Sequence, residues 1–241
     1  MSETLISSIH ERYQLTLTQI AETVARSGRL PSEVRLVVVS KSQPLEVVRA
    51  AVAAGISSFG ENYAEEAVEK IAALKGTTVE WHMIGHVQNR KAITVAANFN
   101  MVHSLDSLKL ARRLNHFCNE LMKILPVLLE FNVSGEESKF GFSAWDETGW
   151  PDLEHEIEEI LALPHLRVCG LMTMPPYYYN PGSTRPYFQR LRHLQEFLAK
   201  RFPKAEWKEL SMGTSVDFVT AIQEGATIVR IGQAIFGPRK G

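Results

Sequence analysis

The sequence shows no excess of charge of either sign. Its 241 residues include 26 Lys and Arg and 27 Asp and Glu, a formal net charge of -1, and no long basic or acidic block appears. This balance differs from that of proteins that bind nucleic acid through charge. The sequence also lacks an apolar run long enough to span a bilayer, and its start, MSETLISSIHERYQ, lacks the basic residues and apolar centre of a secretory signal. We therefore expect a soluble, cytoplasmic protein.

Cysteine is scarce, and the candidate metal ligands are poorly spaced. Cys118 and Cys169 lie in apolar stretches without a CxxC motif, and we expect both to be reduced thiols in the core. His82 and His86 are four residues apart, a spacing that suits a metal on a helix. The surrounding segment WHMIG reads as a strand, where that spacing separates the side chains by about 13 Å, and no acidic third ligand follows. The sequence therefore predicts no metal site.

What the sequence does contain is a regular alternation of short β-branched stretches with amphipathic stretches of helical length. Residues 4–26 form the first amphipathic segment, with apolar residues at helical spacing. Eight strands are predicted beyond Pro31, with helical patterns in most of the gaps between them. The strand candidates are Arg35–Ser40, Ser57–Gly60, Glu80–Ile84, Met101–Ser104, Pro126–Val133, Leu166–Thr173, Glu206–Ser211 and Thr227–Ile231.

Strands that alternate with helices indicate parallel βαβ units, and eight such units are the number in a (β/α)8 TIM barrel of about 250 residues. An open doubly wound sheet is the alternative, but no GxGxxG motif follows the first strand. We therefore predict an α/β protein with a single barrel domain over residues 1–241. Residues 1–30 would form an extra N-terminal helix that packs on the barrel.

A lysine follows the first predicted strand almost directly. In RLVVVSKSQP, Lys41 stands at the end of an apolar run, and burying a lysine is costly unless it is paired. In a TIM barrel this position lies at the C-terminal mouth of the strands, where the active sites of such enzymes are found. A lysine in a low-dielectric cleft loses its proton easily and becomes an amine nucleophile.

Two glycine-containing stretches follow the last two strands, SMGTS at residues 211–215 and RIGQA at residues 230–234. Loops at these places commonly bind phosphate in TIM barrels. Gly213 and Gly232 allow the backbone to approach an anion closely, and Thr214 and Ser215 supply hydroxyl groups at a helix start. Each stretch alone is better explained as a helix cap or a tight turn than as a phosphate site. Together, on adjacent strands, they favour a phosphate site.

An amine nucleophile beside a phosphate site fits two classes of protein. One is a class I aldolase that acts on a sugar phosphate, and the other is a protein that binds pyridoxal 5'-phosphate (PLP). Arg230 lies two residues before Gly232, so both face the barrel axis on a strand. A guanidinium there can donate a hydrogen bond to a pyridine nitrogen, which favours PLP, although a salt bridge to a barrel carboxylate would explain it as well.

Seven motifs between about residues 35 and 237 resemble, in collinear order, the PLP homeostasis protein family, which is related in fold to the barrel domain of alanine racemase. The motifs are VVVSKSQP, FGENYAEEA, WHMIGHVQNRK, HSLDS, LLEFNVSGEESKFGF, GLMTMPP and ELSMGTSVDF…VRIGQAIFG. The resemblance implies that Lys41 forms an imine with PLP, and that SMGTS and RIGQA, including Ser211 and Gln233, hold its phosphate. It also implies that Arg230 faces the pyridine nitrogen and that Asn62 of the GEN motif lies near the cofactor.

The sequence departs from the family pattern at a few positions. Thr214 stands where the family has a methionine, and we expect it to add a donor near the phosphate. Glu65 and Arg90 are further departures, which affect contacts on the outer part of the site rather than the cofactor. The resemblance also implies a function, because proteins of this family are linked to PLP supply and to the balance of amino acids and keto acids rather than to a robust turnover reaction.

Two features favour a PLP-binding regulator or carrier over an enzyme. A racemase needs a proton-transferring group on each face of the imine, and the sequence ends at Gly241, five residues after AIF, which leaves no second domain to supply one. Arg230 would also leave the pyridine nitrogen unprotonated and the ring a weak electron sink. We predict a monomeric PLP homeostasis protein whose partners are PLP and PLP-dependent apoenzymes. A PLP-dependent amino-acid racemase, or a class I aldolase, is the alternative.

Two further features leave alternatives open. Tyr177–Tyr179, with Pro175 and Pro176, form either a loop over the barrel mouth or a contact with a partner. Lys139 in GEESKFGF is either a second amine near the site or a solvated loop lysine.

Overall fold

The computed structural model describes residues 2–176, 178 and 180–237. Short strands alternate with helices through this part of the chain, as the sequence pattern predicts. The strands are β1 (Arg35–Val39), β2 (Ser58–Glu61), β3 (Glu80–Met83), β4 (Met101–Leu105), β5 (Leu125–Asn132), β6 (Phe142–Ser143), β7 (Leu166–Met172), β8 (Glu209–Ser211) and β9 (Ile228–Ile231). The α-helices are α1 (Glu3–Arg26), α2 (Leu45–Ala53), α3 (Ala64–Ala73), α4 (Ala92–Asn98), α5 (Leu108–Glu120), α6 (Glu154–Leu161), α7 (Arg185–Arg201), α8 (Phe218–Gln223) and α9 (Gln233–Phe236).

Eight of the strands close into a parallel barrel. The order around the ring is β1-β2-β3-β4-β5-β7-β8-β9, and β4 pairs with β5 while β1 pairs with β9 to complete it. In the closing pair, Val37 lies opposite Arg230 and Val38 lies opposite Ile231. The helices surround the ring, and the fold is the predicted (β/α)8 TIM barrel.

Helix α1 precedes the barrel and packs against α2, α8 and α9. It buries Ile9, Ile20 and Val24 on one face, because apolar residues recur there at helical spacing. Arg12 Nε donates a hydrogen bond of 2.6 Å to the carbonyl oxygen of Ile235 in α9. The predicted N-terminal helix on the barrel is therefore confirmed, and it supports the helix that follows the last strand.

The structure departs from the sequence prediction at three places. Strand β8 is shorter than predicted, since Trp207 turns away from the ladder and donates its Nε1–H to the carbonyl oxygen of Phe202 at 3.0 Å. Helix α4 was not predicted. It is only seven residues long and carries β-branched residues of weak helix propensity, so its sequence shows no clear helical pattern. The two-residue strand β6 pairs with the end of β5, in a segment that the sequence indicated as a loop.

The barrel interior has an apolar and a polar part. One buried cluster consists of Val37, Met101, Leu128, Cys169, Met172 and Ile228. Four polar residues, which come from β3, β4, β8 and β9, are also buried; they are His82, His103, Ser211 and Arg230. Cys118 and Cys169 are buried free thiols, as expected, and burial raises the pKa of both. A polar interior in a barrel costs stability unless its groups are hydrogen-bonded to one another.

Within the described ranges, no helix is long and apolar enough to cross a membrane. No group of three His, Cys, Asp or Glu side chains in the same residues is arranged to hold a metal ion.

Candidate functional site

The C-terminal ends of the barrel strands surround a cavity of about 1070 Å³. Seven of the nine predicted site residues line it, and these are Lys41, Asn62, Thr214, Ser215, Arg230, Gly232 and Gln233. Ser211 and Gly213 do not line it, because both are buried behind the cavity wall. The fold thus brings together residues that are up to 192 positions apart in the sequence, from 41 to 233.

Lys41 leaves the end of β1 in a short turn and lines the cavity with a half-buried side chain. The N–H group of Ser42 donates a hydrogen bond of 2.8 Å to Glu66 Oε1, and Gln43 N–H donates to the carbonyl oxygen of Ser40 at 3.1 Å. Ser42 has a φ of 60°, in the left-handed region that residues other than glycine rarely adopt. Such strain persists only where the surroundings hold it, and it marks this turn as one with a functional role.

The buried Lys70 on α3 fixes the turn at Lys41 through hydrogen bonds. Lys70 is 4% exposed, and its Nζ donates to the Ser40 carbonyl oxygen at 2.9 Å, to Glu61 Oε1 at 2.8 Å and to Glu66 Oε1 at 2.5 Å. Ser40 Oγ donates a further hydrogen bond of 2.7 Å to Glu61 Oε1. Burial raises the pKa of Glu61, while hydrogen bonds from Lys70 and Ser40 act in the opposite direction. We call Ser40, Glu61, Glu66 and Lys70 the Lys41 clamp.

Arg230 lies at the end of β9, is 3% exposed and contributes to the cavity wall. Its Nη1 donates to Ser211 Oγ at 2.5 Å, and its Nη2 donates to the carbonyl oxygen of Thr173 at 2.9 Å and contacts Met174 Sδ at 2.8 Å. Burial lowers the pKa of Arg230 to about 10, and nearby carboxylates act the other way. Arg230 is therefore a cation and a donor without acceptor capacity at neutral pH.

A chain of buried hydrogen bonds continues from Arg230 through the barrel interior. Ser211 Oγ lies 2.9 Å from His103 Nδ1, and His103 Nε2 lies 2.9 Å from His82 Nδ1. Since Arg230 donates to Ser211, the described residues leave His103 Nδ1 as the acceptor for the Ser211 hydroxyl proton. His103 then carries its proton on Nε2 and donates to His82, whose Nε2–H faces Glu80 Oε2 at 3.8 Å.

This chain runs in one direction, from a cation towards a carboxylate. Every donor points away from Arg230, so the hydrogen-bond dipoles are aligned with the field between Arg230 and Glu80. Burial is the largest cause that holds the pKa of His103 well below its usual value, and the nearby guanidinium of Arg230 acts in the same direction. His103 is therefore neutral, which is the state that the chain requires.

The loops after β8 and β9 meet beside the end of β1. A Cβ atom on Gly232 would lie 2.8 Å from the carbonyl oxygen of Val39, so glycine is what allows β9 to end against β1. Ala234 N–H donates to Ser215 Oγ at 3.4 Å and links the two loops. This arrangement places the Ser215 hydroxyl and the Gly232 backbone in the same wall of the cavity.

Thr214 lines the cavity and bonds to the residue three positions further along the chain. Its N–H and its Oγ1 both donate to Asp217 Oδ1, at 2.7 and 2.9 Å, so its hydroxyl proton fixes the turn around the buried Asp217. Gly213 allows this turn with a φ of 94°, and its carbonyl oxygen accepts a 3.0 Å hydrogen bond from the Arg230 N–H. The expectation that Thr214 adds a donor near a phosphate stays a prediction.

Comparisons with known proteins agree with this geometry. The family model for the alanine racemase N-terminal domain matches residues 16–240. The pyridoxal phosphate homeostasis protein of Aquifex aeolicus (strain VF5) is 40% identical over 230 residues, which cover 95% of this chain and 98% of the relative. The protein of the same name from Pseudomonas aeruginosa is 41% identical over 234 residues, which cover 97% of each chain. The chain belongs to the pyridoxal phosphate homeostasis protein family.

A solved structure extends the likeness to three dimensions. The structure of PipY from Synechococcus elongatus PCC7942 with PLP bound matches with a TM-score of 0.78 and 34% sequence identity. The match covers 90% of this chain and 100% of the PipY chain.

In this member of the family, sequence reasoning missed an acidic residue in the cavity wall. Glu130 lies near the end of β5 and is 8% exposed, and its Oε2 has no hydrogen-bond partner among the described residues. Burial raises the pKa of Glu130 to about 7, Asp106 acts in the same direction, and Arg230 and Lys139 act in the opposite one. The sequence does contain a signal for Glu130, because an acidic residue within the apolar segment LLEFN indicates a polar position near the end of that strand.

The outer wall of the cavity carries a His–Asp hydrogen bond and an aromatic contact. His86 Nδ1 lies 2.7 Å from Asp106 Oδ2, and the His86 ring stacks on Phe140 with ring centroids 3.8 Å apart. Lys139 also lines the cavity, and its Nζ lies 4.0 Å from Glu136 Oε2. Lys139 thus stands at the cavity wall, and the choice between a second amine and a solvated lysine stays open.

The tyrosine-rich loop is described in part. Tyr178 Oη lies 2.8 Å from Tyr187 Oη, and the two rings are stacked. Tyr177 and Tyr179 lie outside the described residues, so the prediction of a loop over the mouth stays a prediction.

Proposed function

We propose that this chain binds PLP in the barrel mouth as an imine with Lys41 and acts in PLP homeostasis, as a carrier or regulator of cofactor supply and of amino-acid and keto-acid balance. The observation that supports this most is the convergence of Lys41, Arg230 and the loops after β8 and β9 on one cavity. The solved relative PipY, at 34% identity, has PLP bound.

The side chains of the cavity fit the chemical groups of PLP. Lys41 supplies an amine for the aldehyde, Arg230 can donate to the pyridine nitrogen, and Asn62 completes the wall beside them. The phosphate would lie against the loops after β8 and β9, formed by Gly213, Thr214, Ser215, Gly232 and Gln233. Ser211 would act through Arg230, whose guanidinium it holds, rather than by touching the phosphate.

Arg230 favours binding over turnover. With a pKa of about 10, its guanidinium donates at neutral pH and leaves a pyridine nitrogen unprotonated. PLP supplies an electron sink when it is bound, and an unprotonated ring is a weak one. We therefore propose a non-catalytic, monomeric, cytoplasmic protein in which residues 1–241 form one PLP-binding domain and PLP-dependent apoenzymes receive the cofactor.

The test is an absorption spectrum of the purified protein, followed by borohydride reduction and peptide mapping. We expect a visible imine band and a pyridoxyl label on the peptide that contains Lys41. Lys139→Ala should keep both, and Lys41→Ala should lose both. A protein that stays colourless with added PLP, or that carries the label at another lysine, contradicts the proposal.

The two alternative functions give different results in the same material. A PLP-dependent racemase would exchange the α-proton of an amino acid with solvent deuterium at a useful rate. A class I aldolase would contain no PLP and would be trapped by borohydride on a sugar phosphate instead. We expect neither exchange at a catalytic rate nor trapping on a sugar phosphate.

A further inference from the structure

Glu130 is a carboxyl group in the cavity wall with an unused oxygen. It is 92% removed from solvent, as its 8% exposure shows, and Oε2 has no hydrogen-bond partner among the described residues. A buried carboxylate without a partner costs folding free energy, so such a group is retained where a ligand supplies the missing donor. Oε2 is therefore the kind of atom that marks a binding site.

The barrel topology sets the position of Glu130 relative to Lys41. From β1 to β5 the ring has four steps through β2, β3 and β4, and four steps through β9, β8 and β7. The two strands are therefore on opposite sides of the barrel, and Lys41 and Glu130 line the same cavity from opposite walls. What lies between them is the space where the proposed cofactor would present its reactive end.

The cavity has room for more than one small molecule. Its volume of about 1070 Å³ exceeds the roughly 300–1,000 Å³ typical of pockets that enclose a drug-sized ligand, and PLP is smaller than most such ligands. Phe140 and His86 also line this cavity, and their rings are stacked. The cavity therefore extends beyond the part that PLP would fill.

The charges around Glu130 define what it would bind. Asp106 faces it from the end of β4 and is paired with His86, Arg230 faces it from β9, and Lys139 faces it from the loop after β5. These charges and burial place its pKa at about 7, so the group is present both as a carboxylate and as a carboxylic acid in neutral solution. Such a group can accept a hydrogen bond from an ammonium ion and can also take its proton.

We infer that Glu130 forms a second ligand site in the mouth, which takes primary amines, and amino acids in particular. The ammonium group of the incoming amine donates to Oε2, and one proton then passes from nitrogen to the carboxylate, giving R–NH2 and a carboxylic acid. One N–H bond breaks, one O–H bond forms, and no other reactant is needed. This inference deepens the proposed function, because a neutral amine is the form that reacts with bound PLP.

Binding to the site can be measured without the cofactor. Ethylamine hydrochloride and L-alanine are titrated into the cofactor-free protein labelled with ¹³C at the Glu side chains, and the Glu130 carboxyl resonance, assigned with Glu130→Gln, is followed against pH. We expect each amine to lower the apparent pKa of Glu130, because an ammonium partner favours the carboxylate. Sodium acetate at the same ionic strength should not. An unchanged titration curve with both amines would overturn the inference, whether or not the protein binds PLP.

Proton transfer is tested on the PLP-loaded protein. The rate at which L-alanine changes the absorption spectrum should rise with pH through a midpoint of about 7, the pKa of Glu130. In Glu130→Gln we expect PLP loading to be retained, the midpoint to disappear and the rate to fall by about 10²-fold, the lower range for loss of a general base. Glu137→Gln, at an exposed position of the loop after β5, is the matched control and should behave as the unchanged protein.

Lys139→Ala gives an independent check of the same site. Lys139 lowers the pKa of Glu130, so its removal should move the midpoint to higher pH while the midpoint itself persists. A profile that is the same in the unchanged protein, Glu130→Gln and Lys139→Ala would show that Glu130 takes no part in proton transfer. A protein that binds no PLP would refute the proposed function alone, since the carboxyl titration tests the amine site separately.

Discussion

Lys70 donates a 2.9 Å hydrogen bond to the carbonyl oxygen of Ser40, the residue directly before Lys41. Its Nζ also bonds Glu66, and Glu66 accepts from the N–H group of Ser42, the residue directly after Lys41. Both peptide groups that flank Lys41 are thus tied to one buried ammonium and its carboxylate partners. The direction of the Lys41 side chain is consequently set by residues of α3 that do not line the part of the cavity where PLP would lie.

The Lys41 clamp can be tested at Glu66, which has a conservative replacement. Glu66→Ala removes the acceptor of the Ser42 N–H and one acceptor of Lys70, and we expect a loss of about 1–3 kcal/mol in unfolding free energy. We also expect weaker PLP binding and a shift in the pH at which the imine band changes, because the Lys41 turn is no longer fixed. Urea unfolding and spectrophotometric titration measure the two effects.

Glu66→Gln separates positioning from simple stability. Glutamine keeps a side-chain oxygen for both hydrogen bonds, so we expect it to restore most of the PLP affinity and the pH behaviour of the imine band. Glu69→Ala, at an exposed position of the same helix, serves as the control. If Glu66→Ala lowers stability but leaves the imine band and its pH dependence unchanged, the clamp has no positioning role.

Because the end of β9 lies close against β1, one added methyl group at Gly232 should lower both stability and PLP binding. In Gly232→Ala the new Cβ would meet backbone atoms of Val39 at 2.8 Å, so the end of β9 must move away. We expect a loss of about 1–3 kcal/mol in unfolding free energy and weaker PLP binding. Gly149→Ala is the matched control, because nothing lies within 4 Å of its Cβ position. Equal effects of the two substitutions would contradict the tight packing described for Gly232.

The stability of the protein should respond to pH through two buried groups of opposite sign. His103 has a folded-state pKa well below its unfolded value of about 6.5. Below about pH 6.5 the unfolded state binds a proton that the folded state does not, so the unfolding free energy decreases as the pH falls. Glu130 has a folded-state pKa of about 7, above its unfolded value of 4.5, so it favours the folded state increasingly as the pH falls from about 7 to 4.5. Between pH 7.5 and 5.5 the two contributions oppose each other.

Single substitutions should expose the two opposing effects. In Glu130→Gln only the histidine effect remains of the pair, and the unfolding free energy should fall on acidification, by roughly 2 kcal/mol relative to the change in the unchanged protein over this range. In His103→Gln only the carboxyl effect remains of the pair, and the unfolding free energy should rise on acidification, by roughly 1 kcal/mol relative to the change in the unchanged protein. Urea unfolding at pH 7.5, 6.5 and 5.5 gives the three slopes. Parallel slopes in all three proteins would contradict the assignment.

The direction of the interior hydrogen-bond chain can be observed directly. We expect ¹⁵N spectra to show protons on Nε2 and none on Nδ1 in both His82 and His103. Ser211→Ala removes the group that joins Arg230 to His103, and we expect a cost of about 1–3 kcal/mol and a free choice of tautomer at His103. Protons on Nδ1 of both rings in the unchanged protein would mean that the chain runs the other way.

The sequence predicted those parts of the site that depend on local pattern and strand order. Lys41, Arg230 and Gly232 each stand at the end of an apolar segment, and the strand-to-helix alternation places all strand ends at the same mouth. At Thr214 the helix-cap explanation of SMGTS rests on a local pattern, because TSVD has the Thr-x-x-Asp spacing of a helix start, and the Thr214 hydroxyl donates to Asp217 three positions on.

The rest of the site depends on contacts that no local pattern encodes. Lys70 and Ser40 are 30 positions apart, and His103 and Ser211 are 108 positions apart. A lysine on an amphipathic helix and a histidine within a strand have many alternative partners in a sequence. Only the closed ring of strands decides which of these polar residues face each other inside the barrel.

The pairing of β1 with β9 also has a consequence for how the protein is made. Arg35 pairs with Ile228, so the last strand must be complete before the ring can close. Loop closure over such a separation is slow, and strands with distant partners pair late in folding. On a ribosome that adds roughly 5–20 residues per second, β9 follows β1 by about 10 s or more. Lys41 follows the end of β1 and Arg230 lies on β9, so a nascent chain has no complete cofactor site until β9 has been synthesised, and capture of PLP would report that the ring has closed.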